Sequence, residues 1–261
     1  MSPTLDTRAV VSANAHLEND VVVGPNSIIE DDVVIGSGTQ IASNVLVASG
    51  TRIGKDCRIH HGAVLGTIPQ DLKFKGESTT LEIGDHTTIR EYATLNRGTH
   101  ERQKTTVGNH CFIMAYAHVA HDCDVGNHVI LANSVNMAGH VVIEDYVIIG
   151  GLSPIHQYVR IGGHSMIGGG FRVPKDVPPY ILAGHEPMVF QGLNIVGLKR
   201  RNFPAETIDL LEEAYRILYQ SRLNVSQAVE RIKSELPQTP EIQHILGFVS
   251  ASKRGIIGGR R

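Results

Sequence analysis

Stepping along the chain by six from Leu5 lands on Val11, Leu17, Val23, Ile29 and so on to Val173, and 26 of these 29 stations are aliphatic or Met. The exceptions are Asp71, Glu77 and Glu101. With 41% of the chain hydrophobic, chance does not sustain such a series. Neither a 3.6-residue helix nor an alternating strand has a period of six. A hexapeptide repeat specifies a parallel β-helix: short strands, a corner every six residues and three strands per coil of 18. Each station side chain then points into a prism and stacks on its counterparts in the coils above and below. The residue after a station is often small (Gly24, Gly36, Ala42, Gly54), and so is the fourth after it (Ser27, Thr39, Cys57, Ala63).

The exceptions fall in two polar excursions, residues 66–80 and 97–105. Loops that leave a rigid solenoid are common places for binding. Beyond Val173 the repeat stops, and Ile208, Leu211, Tyr215 and Leu218 follow at helical spacing over 204–219. Ser226 is expected to cap a second helix and Thr239-Pro240 to open a third. The expected division is a β-helix over residues 1–190 and a helical domain over 191–261.

Composition narrows the class. A net charge of −2 argues against nucleic-acid binding and a polybasic membrane anchor. Cys57, Cys111 and Cys123 lack metal-site spacing and are odd in number, as expected of reduced thiols. No secretory leader pattern and no run of about 18 apolar residues is visible, so the expectation is a soluble cytoplasmic protein without a transmembrane segment.

Coil length gives meaning to the stretch AHVAHDC at 117–123. Adding 18 to 121 leads to Gly139-His140, and 18 more to His156-Gln157. With His118 on the same turn, four histidines converge on one edge of the prism. Two chemistries fit. His121 can be a general base oriented by Asp122, since histidine takes and returns a proton near neutrality. Alternatively, several imidazoles can hold zinc with an open position for water, as in the γ-class carbonic anhydrases, which share the β-helix. A non-catalytic β-helix that binds a partner is the third reading.

The strings QDLK (70–73), HVAHDCDVGN (118–127), LAN (131–133), AGH (138–140), IIGG (148–151), IHQ (155–157), DVPPY (176–180) and NIVGLKRR (194–201) resemble those of the UDP-N-acetylglucosamine O-acyltransferases that open bacterial lipid A biosynthesis. That resemblance covers nearly the whole chain. It implies an all-β solenoid, a left-handed parallel β-helix with a small C-terminal α-helical domain. The related N-acyltransferases carry an added N-terminal uridine-binding domain, whereas here the repeat begins at Leu5. The γ-carbonic anhydrases lack the long helical domain led by GLKRR.

The resemblance implies transfer of an (R)-3-hydroxyacyl group from acyl carrier protein to the sugar 3-hydroxyl of UDP-N-acetylglucosamine, in a homotrimer with sites between subunits. His121 is the implied base, Asp122 its orienting partner and the Gly139 N–H the oxyanion donor. No metal or other cofactor is implied; the donor rides on the carrier's phosphopantetheine. Asp71, Lys73, His118, His140, His156 and Gln157 are implied contacts to sugar nucleotide or acyl group, and Asn194 and Arg200 to the nucleotide end. Gly169, with Met166 in the same MIGGG stretch, is the implied ruler of acyl length. Lys199, Arg200 and Arg201 form a basic cluster suited to the acidic carrier protein and the substrate diphosphate. One departure is Val196, where many members of the family carry Glu.

Overall fold

The computed structural model describes residues 1–259. Strands of mostly two residues stack into three parallel sheets of 11, 8 and 8 strands, the walls of a triangular, left-handed parallel β-helix. The register is the hexapeptide arithmetic made physical: Thr4 pairs with Val22 and Phe112 with Ile130, one coil of 18 apart. Across the two excursions the step lengthens to 30 residues, Arg58 to Thr88, and then to 24, Thr88 to Phe112. The excursions therefore leave the prism without disturbing its stacking.

Burial follows the stations. Val23, Ile29, Ile35, Leu65, Ile113, Met137 and Ile167 are buried, while Leu5 on the first coil is exposed because only one neighbour covers it. Burying an aliphatic side chain of this size contributes about 1.5–3 kcal/mol. The fourth residue after a station is also interior and must be small. Where it is Ser or Thr, its hydroxyl donates to a carbonyl of the next coil, as Ser27 does to Ala42 at 2.7 Å and Thr39 to Gly54 at 2.8 Å. A hydroxyl in the core is thus satisfied without water.

The third residue after a station turns the corner with positive φ. Asn26, Asn44, Asp122, His128 and His140 occupy it, residue types that tolerate the left-handed region better than most. Periodicity in hydrophobicity does not reveal this rule, yet it decides where Asp122 and His140 stand.

Past the last coil, Ile181–Gly184 continues the 11-stranded sheet and pairs antiparallel with Val189–Leu193. The expected division at 190/191 falls inside that second strand. Among the described residues four helices follow: α1 (Ile195–Arg200), α2 (Ala205–Gln220), α3 (Val225–Glu235) and α4 (Pro240–Ser250). Thr239 caps α4 as expected, its hydroxyl facing the Ile242 N–H. The expected cap at Ser226 is corrected: Asn224 caps α3 in a reciprocal box with Gln227, so the helix starts earlier. Helix α1, at six residues, is too short to show a period.

Cys57, Cys111 and Cys123 are buried free thiols filling the same small interior positions. Burial pushes the Cys111 thiol up to about 11 and that of Cys123 to about 12, so neither is a nucleophile near neutrality.

Candidate active site

His121, Gly139 and Gln157 stack in one column of a prism edge, and Asp122, His140 and Tyr158 in the adjoining one. The register that aligns them pairs Val119 with Met137 and Met137 with Ile155. The His121 Nδ1 donates to Asp122 Oδ2 at 2.8 Å. A carboxylate only accepts, so this contact leaves the lone pair on Nε2, facing away from Asp122. Asp122 is fully buried. It also accepts from the Thr99 N–H at 2.8 Å and the Thr99 hydroxyl at 2.6 Å. Burial pushes the Asp122 carboxyl up, but the bonds from Thr99 and His121 outweigh it and hold the group below its ordinary value.

His140 lies edge-on to His121, with ring centroids 5.2 Å apart, and stacks on Tyr158 at 4.5 Å. Its Nε2 is 3.5 Å from Glu101 and 3.7 Å from Asp122. Burial pushes the His140 imidazole down despite those two carboxylates. His118 stands on the adjacent strand, its Nδ1 2.7 Å from the Thr94 hydroxyl, and burial pushes it down as well. His156 and Gln157 are exposed at the next coil, and His156 Nδ1 donates to the Gln157 carbonyl.

Gly139 packs so closely that a Cβ there would sit 2.6 Å from His121 Cε1. Any side chain would push the imidazole out of place. Among the described residues no backbone carbonyl accepts from the Gly139 N–H, which leaves a donor beside the imidazole.

Ligand atoms of His121, Asp122 and His140 lie within 4.8 Å of one another, close enough for a cation. The carboxylate they share, however, already accepts from His121 and twice from Thr99, and a metal at Asp122 would compete with those bonds.

Two expected site residues are committed elsewhere. The side chain of Asn194 is buried: its Oδ1 accepts from Gly197 N–H to cap α1, and its Nδ2 donates to the His164 carbonyl at 2.8 Å. Each end of the amide thus makes one contact within the chain, which holds the side chain in place. Arg201, of the expected basic cluster, also makes contacts within the chain. Its guanidinium donates to the Tyr146 carbonyl and lies 5.1 Å over that ring, while Lys199 and Arg200 stay exposed. Val196 is also exposed. Asp71 and Lys73 sit on the first excursion, where the Asp71 carboxylate accepts from the Lys73 N–H at 3.0 Å.

Gly169 and Met166, the expected ruler of acyl length, are on another edge. Ile167 belongs to the 11-stranded wall and Val119 to an 8-stranded one, so Gly169 turns a different corner from His121. Met166 points outward from the 11-stranded wall. One prism alone does not bring Gly169 to His121.

Thr99 and Tyr158 carry no mark of their own in the sequence, and Glu101 stands out there only as an exceptional station. The only signal was that the second excursion, which carries Thr99 and Glu101, interrupts the stations.

Comparison with known proteins accords with this geometry. The family described as Udp N-acetylglucosamine O-acyltransferase, domain 2, matches residues 176–257, and the bacterial transferase hexapeptide family matches 14–49, 32–67 and 104–139. An acyl-[acyl-carrier-protein]–UDP-N-acetylglucosamine O-acyltransferase of Ectopseudomonas mendocina is 44% identical over 254 residues, 97% of this chain and 98% of that protein. Its counterpart in Chlorobaculum tepidum is 57% identical over 196 residues, 75% of this chain and 74% of that protein. The crystal structure of a UDP-N-acetylglucosamine acyltransferase from Bacteroides fragilis superposes with a TM-score of 0.95 at 46% identity, covering 97% of this chain and 99% of that one. With likeness of this extent over prism and helices alike, the chain belongs to the acyl-[acyl-carrier-protein]–UDP-N-acetylglucosamine O-acyltransferase family.

Proposed function

We infer that this protein transfers an (R)-3-hydroxyacyl group from acyl carrier protein to the 3-hydroxyl of UDP-N-acetylglucosamine, the opening step of lipid A synthesis, with His121 as general base. The observation that carries the reading is the buried Asp122 holding His121 against the bare Gly139 backbone. A sugar hydroxyl attacks a thioester only as its proton leaves. His121 Nε2 takes that proton while the hydroxyl oxygen bonds to the thioester carbon. The carbonyl oxygen becomes an oxyanion and receives a hydrogen bond from the Gly139 N–H. Collapse of the intermediate breaks the C–S bond, and the imidazolium returns its proton to the departing phosphopantetheine thiolate.

His118, His140, His156 and Gln157, on the coil of His121 and the next ones, are assigned to contacts with the sugar or acyl group, together with Asp71 and Lys73 of the first excursion. Arg200 and Lys199 supply a local positive field for phosphate or carrier protein. Among the described residues no helix is long and apolar enough to cross a membrane. The three unpaired thiols support a reducing, cytoplasmic setting.

The test is incubation with UDP-N-acetylglucosamine and hydroxyacyl carrier proteins, with products read by mass, before and after exhaustive chelation. The expected result is one acyl group added to the sugar nucleotide at an unchanged rate after chelation. A rate that collapses and returns with zinc would move the metal reading to first place.

A homotrimer is part of the same reading. Phe112, Ile130, Ile148, Met166 and Leu182 pair in register as an outward apolar ladder on the 11-stranded wall. Leu152 and Tyr116 stand exposed at its edge. A continuous apolar stripe of this kind calls for cover by another chain, and closed symmetry lets copies cover one another. A neighbour's Gly169 edge can then meet the His121 edge that one prism keeps apart from its own. Sedimentation is expected to give three times 28.4 kDa. Ile148→Glu, which charges the ladder, is expected to dissociate the assembly with loss of activity. A fully active monomer would overturn the shared site.

A further inference from the structure

The excursion over residues 97–105 has no counterpart among the hexapeptide coils, yet its backbone closes over the innermost carboxylate of the site. Thr99 is buried there. Its N–H donates to Asp122 Oδ1 and its hydroxyl to Asp122 Oδ2, the oxygen that also receives the His121 Nδ1–H. The direction of the hydroxyl proton is settled locally. Thr99 Oγ1 accepts from the Glu101 N–H at 3.2 Å, so its own proton is free for Asp122. The loop is braced by the Gln103 N–H donating to the Thr99 carbonyl at 2.8 Å. From the prism side, Thr105 accepts from the Asp122 N–H at 2.8 Å. Asp122 is therefore gripped at both ends by residues of the excursion, 17 and 23 positions away in sequence.

We propose that Thr99 is a positioning residue for catalysis: its paired donors keep Asp122 anionic and in line, so that His121 holds its proton on Nδ1 and presents Nε2 to the acceptor hydroxyl. This rests on the reading of His121 as general base. A carboxylate that lost these donors would be free to rotate, and the imidazole would lose its fixed partner. The hydroxyl also acts on the proton balance of the pair. Its bond to Asp122 is stronger when the imidazole is neutral than when an imidazolium already shares the carboxylate's charge. Thr99 therefore favours the neutral, proton-accepting form of the pair. His140 faces the same carboxylate, with Glu101 on its own Nε2, and Arg102 donates to the Asp122 carbonyl. These charged neighbours stay in place when only the Thr99 hydroxyl is removed.

The experiment compares Thr99→Val, Thr99→Ala and Thr99→Ser with the parent and with His121→Ala, reading kcat, KM and the pH profile of kcat/KM. For Thr99→Val, kcat is expected to fall by about ten- to hundredfold, the size of one hydrogen bond to a charged group. KM for the sugar nucleotide is expected to stay near the parent's. The acid limb of the profile is expected to move to higher pH, because loss of the hydroxyl favours the imidazolium. Thr99→Ala makes the same deletion in a smaller volume and guards against a Val variant that fails to fold. Thr99→Ser keeps the donor and is expected to restore both kcat and the limb. If His121→Ala is inactive while Thr99→Ala matches the parent in kcat and pH profile, the positioning role is overturned and the base stands. If His121→Ala retains the parent's rate, the base reading fails and takes this proposal with it.

Discussion

His121→Ala is expected to lower kcat by about 10²–10⁴-fold, the contribution of a positioned base, while nucleotide binding and the state of assembly persist. The fold should survive because His121 lies at the rim of the prism, outside the column of inward stations, and keeps some exposure. What the variant loses is the lone pair on Nε2, opposite the Nδ1 that Asp122 holds. Turnover within about tenfold of the parent would contradict a base of that size. Asp122→Asn is expected to do less harm to kcat, since the imidazole remains beside Gly139. It leaves the Thr99 donors facing an uncharged and partly wrong-handed partner, so some loss of stability should accompany the loss of rate. Thermal unfolding of the two variants, measured beside their kinetics, separates those effects.

The second large effect concerns the acyl chain. Gly169 has no side chain to block a groove, and it lies exposed on a prism edge apart from that of His121. The parent is therefore expected to prefer hydroxyacyl chains of about 14 carbons or more, each further buried methylene contributing up to about 0.8 kcal/mol. Two more carbons would then be favoured roughly ten- to fifteenfold. Gly169→Met should reverse that order by filling the groove. A Cβ at this position would meet the Gly151 carbonyl oxygen at 3.1 Å, a tight contact that the exposed edge must accommodate by a small shift. Competition among carrier-bound chains of different length, parent against variant, decides the matter. A parent that already prefers short chains, or a variant with the same ranking, would remove Gly169 from this role. Sedimentation of the variant guards against a change in assembly that imitates a change in preference.

Both predictions depend on facts of different origin. The six-residue period is written into the chain because every coil must offer an aliphatic group at the same interior point, as Ile113, Leu131 and Ile149 do. A repeating environment demands a repeating residue, and so coil length, the prism and the column linking His121 to Gly139 can be counted off. The excursions are visible for the converse reason: Asp71, Glu77 and Glu101 cannot occupy interior stations, so the chain must leave the prism there. The cap of α4 is equally local, since Thr239-Pro240 carries its own start signal.

Contacts between unlike segments have no such rule. Nothing in the period says that Thr99 will reach Asp122, because a loop's path is set by three-dimensional closure rather than by repetition. Asn194 and Arg201 have the residue types of a nucleotide site. The packing of α1 and its C-terminal edge on the prism spends the first on the His164 carbonyl and the second on Tyr146. Counting by six likewise treats every corner alike, whereas the three walls separate the His121 edge from the Gly169 edge. Chain chemistry thus dictated the solenoid and the residues that meet at the His121 corner, because stacking makes those positions periodic. Which neighbours hold Asp122, which polar groups stay free and which edge carries Gly169 apart from His121 were decided only when helices, loops and walls packed together.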